Sequence, residues 1–143
     1  ITEPQPTFSA CYGAAFLMLH PTRYSNVLST KMKAANAKVF LVNTGWNGKG
    51  ERISLKNTRA IIDAILGNEI NEVETHNIPI FNLAIPKSVK NVPSDLLDPR
   101  STWDSLDNWN KKAQDLAILF INNFKKFCDD DHGKKLVDSG PQI

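Results

Sequence analysis

Apolar residues recur at spacings of three and four over three stretches of the chain, and each stretch reads as an amphipathic helix. After Pro21, whose missing N–H costs nothing in a first turn, Tyr24, Val27, Leu28, Met32 and Ala35 share one face. Lys31 and Lys33 then suit the negative end of the helix dipole. Ser54 is placed to cap a second helix whose apolar face is Leu55, Ile62, Ile65 and Leu66, closed by Gly67 at the C′ position. The clearest stripe is Trp109, Ala113, Leu116, Ala117, Phe120, Ile121, Phe124 and Phe127, with Lys111, Asp115, Asn122 and Lys126 pointing elsewhere. Asp104 and Asp107 near its start and Lys125 and Lys126 near its end complement the dipole. A short helical tail is expected over residues 133–139.

Between the helices, residues 38–43 read as a buried strand built on Val39-Phe40-Leu41-Val42. Residues 73–77 and 80–85 read as short strands, with Pro79 and Pro86 as their boundaries. Residues 92–99 are irregular, and residues 2–5 are extended because Pro4 and Pro6 cannot donate to a ladder. Residues 8–19 are apolar and rich in small side chains, with no clear period, and are expected to be buried. Helix followed by buried strand implies the α/β class, a mixed sheet with flanking helices.

Composition narrows the class without naming a function. A chain of 143 residues makes one domain, and 41% hydrophobic with 22% charged residues excludes disorder, a collagen-like fibre and a disulfide scaffold. Seventeen basic against fifteen acidic residues leave a net charge of +2, too small and dispersed to argue for a nucleic-acid or membrane surface. Apolar runs break well before the ~18 residues a bilayer needs. Cys11 and Cys128 stand far apart without a second ligand nearby, which reads as two reduced thiols rather than a disulfide. The sequence opens on Ile1 with no charged-then-apolar signal before it, the expectation for a processed chain or a piece of a longer one.

The candidate chemistry centres on Thr44-Gly45-Trp46-Asn47-Gly48-Lys49-Gly50-Glu51-Arg52, between the expected strand and the second helix. That setting lets backbone N–H groups and a helix N-terminus hold an anion. A P-loop would need Lys-Ser or Lys-Thr after the second glycine, whereas Glu51-Arg52 follows Gly50, and the dinucleotide pattern is absent as well. A plain glycine turn therefore stands beside phosphate or nucleotide binding. Arg52, Thr58 and Arg59 flank the helix start, where a guanidinium could cover a ligand ring or could simply solvate the helix. His20, His76 and His132 show no mutual ligand spacing, and no metal site is expected. His20 reads as a hydrogen-bonded loop residue, and Asp129-Asp130-Asp131-His132 as a solvated helix terminus. No catalytic constellation is complete.

Longer phrases carry more. Glu3-Pro4-Gln5-Pro6-Thr7-Phe8-Ser9-Ala10-Cys11-Tyr12-Gly13-Ala14-Ala15-Phe16, Leu19-His20-Pro21-Thr22, Leu41-Val42-Asn43-Thr44-Gly45-Trp46 and Arg52-Ile53-Ser54-Leu55-Lys56-Asn57-Thr58-Arg59-Ala60 follow in order. Phe81-Asn82-Leu83-Ala84-Ile85-Pro86 and Leu97-Asp98-Pro99-Arg100 come after them. This succession resembles the carboxy-terminal part of ATP-dependent phosphoenolpyruvate carboxykinase, in the short-loop form of some bacterial members, and the resemblance runs on through the long aromatic helix.

The resemblance implies a cytoplasmic gluconeogenic lyase that converts oxaloacetate and ATP to phosphoenolpyruvate, ADP and carbon dioxide, with Mg2+ and Mn2+. It implies that this chain is a single-unit segment, residues 1–143, of the carboxy-terminal nucleotide-binding domain of a larger two-domain enzyme. Nucleotide contacts carry over to Arg52 and Ile53 at the adenosine end and to Thr58, while residues 3–9 resemble the border of the family's mobile lid. The family's P-loop, metal ligands and oxaloacetate-binding residues lie upstream of the matching region and have no counterpart here. The segment is therefore expected to be inactive alone, to bind no metal of its own, and to need the amino-terminal part as partner. Neither nucleic acid nor membrane is an expected partner. The competing expectation is a non-catalytic interaction or scaffold module derived from the same fold.

Overall fold

Pro21 begins the first helix, α1 (Pro21–Ala34), with His20 as its N-cap and Lys31 and Lys33 in its last turn. This is the computed structural model of the chain, which describes residues 7–143; the expected extended stretch at residues 2–5 lies outside them. The apolar face expected on α1 exists in sequence but meets little protein: Thr22 is its only buried residue, and Val27 and Leu28 are exposed. Tyr24 is spent differently, its hydroxyl oxygen accepting the N–H groups of Met18 and Leu19 at 3.1 and 3.2 Å.

The segment before α1 overturns an expectation. Residues 8–19 are not buried; they form two single 3-10 turns, Ala10–Tyr12 and Ala14–Phe16, with Tyr12 93% exposed and Phe16, Met18 and Leu19 also open. Nothing among the described residues offers a surface large enough to cover them. The expected strand at residues 38–43 fails for a related reason. A strand needs a neighbour for its ladder, none pairs with it among the described residues, and Val39, Phe40 and Leu41 run exposed and irregular.

The second helix, α2 (Leu55–Leu66), starts as expected: the Ser54 side chain accepts the Asn57 N–H at 3.2 Å. Its packed face is rotated from the expected one. Thr58 and Ala64 are buried, whereas Leu55, Ile62 and Leu66 are exposed. The small residues face inward because Ala60, Ile61 and Ala64 pack against Val89 and Val92, with Ile70, Leu96 and Leu97 around them. Gly67 stays right-handed, and Asn68 (φ 64°) turns the chain instead, a role Asn fills readily.

Among the described residues the strands form one antiparallel hairpin of β1 (Thr75–Ile78) and β2 (Leu83–Pro86), in register Thr75 with Pro86 through Ile78 with Leu83, besides isolated bridges at Trp46–Arg52 and Val89–Val92. Each strand is shifted by one to three residues from its expected bounds, because Ile80 and Asn82 take left-handed backbone and are consumed by the turn. Pro86 is tolerated at the strand end, where it need not donate. The third helix, α3 (Leu106–Phe124), is capped by Ser105 on the Asn108 N–H. Its stripe buries Trp109, Ala113 and Ala117, and Trp109 and Ala113 pack with Ile78 against Ile80, Phe81, Ile85 and Trp103. The same stripe continues past the core, leaving Leu116 and Phe120 exposed.

The tail holds α4 (Asp131–Leu136), which Asp130 caps by accepting the Gly133 N–H, followed by a 3-10 turn over Val137–Ser139. The molecule is thus mixed helix and sheet, as expected at the level of class, with far less sheet than residues 38–43 implied. No helix of the described residues is long and apolar enough to cross a membrane.

Candidate functional site

The glycine loop is a tight hairpin. Gly50 N–H donates to Asn47 O at 3.0 Å, Asn47 N–H to Glu51 O at 2.9 Å and Ile53 N–H to Gly45 O at 2.9 Å. Gly50 takes φ +76°, the left-handed residue that closes a three-residue hairpin loop. Asn47 locks the turn from inside, its Oδ1 accepting the N–H groups of Lys49 and Glu51 at 3.0 Å each. The hairpin is tied to the body by Gly48 N–H to Thr102 Oγ1 at 2.9 Å. A Cβ at Gly48 would fall inside the Trp103 ring, so only glycine permits that approach.

Register decides which way the flanking side chains face. Gly45 and Ile53 are opposed, then Trp46 and Arg52, then Asn47 and Glu51. Alternation along the two arms sends Ile53 inward, 8% exposed, and Arg52 outward. The Arg52 guanidinium carbon lies 5.2 Å from the centre of the Trp46 ring. Ser54 follows at once and starts α2, whose Thr58 is 9% exposed and donates its N–H to Ser54 O at 3.0 Å. Arg52, Ile53 and Thr58 are therefore one short stretch at a helix head, with one exposed cation and two inward side chains. The Ile53 N–H is already spent within the hairpin. Arg59 is exposed on the same helix.

Two polar clusters were not legible as such. Asp98 accepts from Arg100 N–H at 2.9 Å, from Arg100 Nε at 3.0 Å and from its Nη2 at 2.6 Å, while His76 Nε2 lies 3.1 Å away. The Arg100 guanidinium holds the Asp98 carboxyl down to about 2, against 3.8 ordinarily. The available signal was an Asp directly before a Pro, an N-cap followed by a first-turn proline. Asp98 indeed caps the 3-10 turn Pro99–Thr102.

The other cluster joins α1 to α4. Thr22 Oγ1 donates to Asp130 Oδ2 at 2.6 Å and lies 2.8 Å from His20 Nδ1. His20 is thus a hydrogen-bonded loop residue, as expected. Asp130 is held below the usual carboxylate range, chiefly by the Gly133 N–H. Ligand-type atoms of His20, Asp129 and Asp130 all lie within 4.8 Å of one another, and all three groups are exposed or nearly so. The expectation that residues 129–132 form a helix terminus holds, but the chain also brings two of those carboxylates to His20. Both Asp130 oxygens are already engaged, by Thr22 and by Gly133. The cluster has no residue in common with the hairpin.

A groove of about 700 Å3 runs between the residues before α1 and the far end of α3, lined by Phe8, Cys11, Phe120, Phe124, Phe127 and Cys128 among others. Phe8 meets Phe120 edge-on with centroids 5.1 Å apart. Both cysteines are free thiols, as expected.

A glycine hairpin is thus held at the head of a helix, with an exposed guanidinium on its outer face, in a chain of mixed helix and sheet. The family comparison is more specific: the model of the phosphoenolpyruvate carboxykinase family matches residues 1–95 of the 143. The chain belongs to that family, the ATP-dependent phosphoenolpyruvate carboxykinases. The match contains Arg52, Ile53 and Thr58 and ends before Asp98 and α3.

Proposed function

We propose that the chain is the carboxy-terminal segment of the nucleotide-binding domain of an ATP-dependent phosphoenolpyruvate carboxykinase. That cytoplasmic enzyme converts oxaloacetate and ATP to phosphoenolpyruvate, ADP and carbon dioxide in gluconeogenesis. The segment supplies the adenosine end of the nucleotide site. Arg52 lies flat against adenine, Ile53 contributes backbone and an apolar edge, and Thr58 contributes its position in the opening turns of α2. The stretch at residues 3–9 borders the lid. Mg2+ and Mn2+ are held by residues outside this segment, as are the triphosphate and oxaloacetate. The amino-terminal part of the enzyme is the partner, and the segment alone is inactive.

One observation carries this reading. Inside the family-matched stretch, Arg52 is exposed and forms no ion pair or hydrogen bond with the described residues. A cation left unspent on a rigid hairpin is available to a ligand. The test is ATP titration of the full-length gene product and its Arg52→Ala variant. Loss of one stacked guanidinium is expected to weaken ATP about 5- to 30-fold. An unchanged affinity would instead favour the docking module that lacks a nucleotide role.

A further inference from the structure

Arg52 stands exposed at the edge of a hairpin, yet a free arginine is a poor ligand for a flat ring. Its four side-chain torsions must be fixed before it can stack, and that ordering opposes binding. Trp46 resolves this. In the hairpin, the Gly45–Ile53 and Asn47–Glu51 pairs carry the backbone hydrogen bonds, so Trp46 and Arg52 between them are the non-hydrogen-bonded pair. Side chains approach most closely at such a pair. Trp46 is 61% exposed, so burial does not explain an indole there. Its ring is turned instead to the guanidinium, 5.2 Å away.

The base under this pair is rigid. Asn47 braces the turn from within, Gly48 is bonded to Thr102, and the Trp103 ring fills the space beside Gly48. The guanidinium carbon therefore lies over the indole, and its donors make no ion pair or hydrogen bond with the described residues. We propose that Trp46 is a positioning residue for the adenine ring: it holds the Arg52 guanidinium flat, so that ring, guanidinium and indole stack in that order. Trp46 acts through Arg52 and does not touch the nucleotide. The inference rests on the reading of Arg52 as an adenosine contact.

The full-length gene product separates the two ideas. Wild type, Trp46→Leu, Trp46→Phe, Arg52→Ala and the Trp46→Leu/Arg52→Ala double variant are titrated with ATP and with inorganic tripolyphosphate, which has no base. Trp46→Leu is expected to weaken ATP about two- to fivefold and leave tripolyphosphate unchanged. Trp46→Phe, which keeps an aromatic face, restores most of the loss, and the double variant is no weaker than Arg52→Ala alone. The Arg52 Nε–H resonance, displaced by the indole ring current, moves back in Trp46→Leu and stays displaced in Trp46→Phe.

If Arg52→Ala weakens ATP while Trp46→Leu does not, the positioning role is overturned and the adenosine reading survives. If Trp46→Leu weakens ATP equally in the Arg52→Ala background, Trp46 touches the base itself and the proposed order of stacking is wrong. If neither single variant changes ATP binding, both readings fail together, and the Arg52 resonance then shows a pair that serves only the hairpin.

Discussion

Among the described residues Asp98 is the one carboxylate whose titration the surroundings move far. Two residues away, Arg100 closes on it through its main-chain N–H and both ends of the guanidinium fork, and His76 reaches it from β1. The pair thereby ties the loop before α3 to the hairpin, and the carboxyl falls to about 2 from 3.8. Below about 3.8 the unfolded chain takes up a proton that the folded chain still refuses. The contribution of Asp98 is thus complete above that pH and is lost as pH falls toward about 2. Asp98→Asn is expected to cost about 1–3 kcal/mol near neutral pH, the cost of leaving the partners of a half-buried charged hydrogen bond unpaired. Urea midpoints of both proteins, followed from about pH 6 to about pH 2, should converge at the acid end. A gap that stays constant would mean that the carboxylate charge is not what matters there.

At the scale of elements, the helices are marked by their first residues more than by their faces. Ser54 and Ser105 each accept the N–H three residues on, at 3.2 and 3.1 Å, and α2 and α3 begin where those serines place them. Ser54→Ala and Ser105→Ala are each expected to lower stability by about 1 kcal/mol. Asp130→Ala should cost more than either, since Asp130 both caps α4 and receives the Thr22 hydroxyl from α1, 108 residues earlier in the chain. Denaturant titration of the three variants tests that order, and an Asp130→Ala loss no greater than the serine losses would remove the α1–α4 tie as a stabilising contact.

Caps, Pro21 and the aromatic stripe of α3 were readable because they are local. The face of α2 was not, because which side packs depends on Val89 and Val92, which arrive from a later loop. Residues 38–43 have strand composition but no strand beside them, and composition cannot supply a partner. The glycine loop was legible as a turn at a helix head. The Trp46–Arg52 pairing was not, since it follows from hairpin register, set by the left-handed Gly50.

For the whole molecule the deciding quantity is surface. The chain exposes 10941 Å2, whereas a self-contained monomer of 16.0 kDa exposes about 7,400 Å2. Large apolar side chains contribute to it. Tyr12, Phe16 and Met18 stand open, and Phe8 and Phe120 sit on the rim of the groove at the far end of α3. Among the described residues two small clusters, one around Ala64 and one around Trp109, carry the packing, and no large side chain is fully enclosed. Such a chain has little to offset its conformational entropy and many exposed apolar side chains available for self-association. The 143-residue chain in isolation is therefore expected to bind a hydrophobic dye such as ANS, to unfold over a broad thermal range, and to form oligomers at micromolar concentration in sedimentation velocity. A sharp calorimetric transition from a monomer with no dye uptake would mean that these faces close on one another in solution. That outcome would count against the proposal that the segment is one part of a larger nucleotide-binding domain.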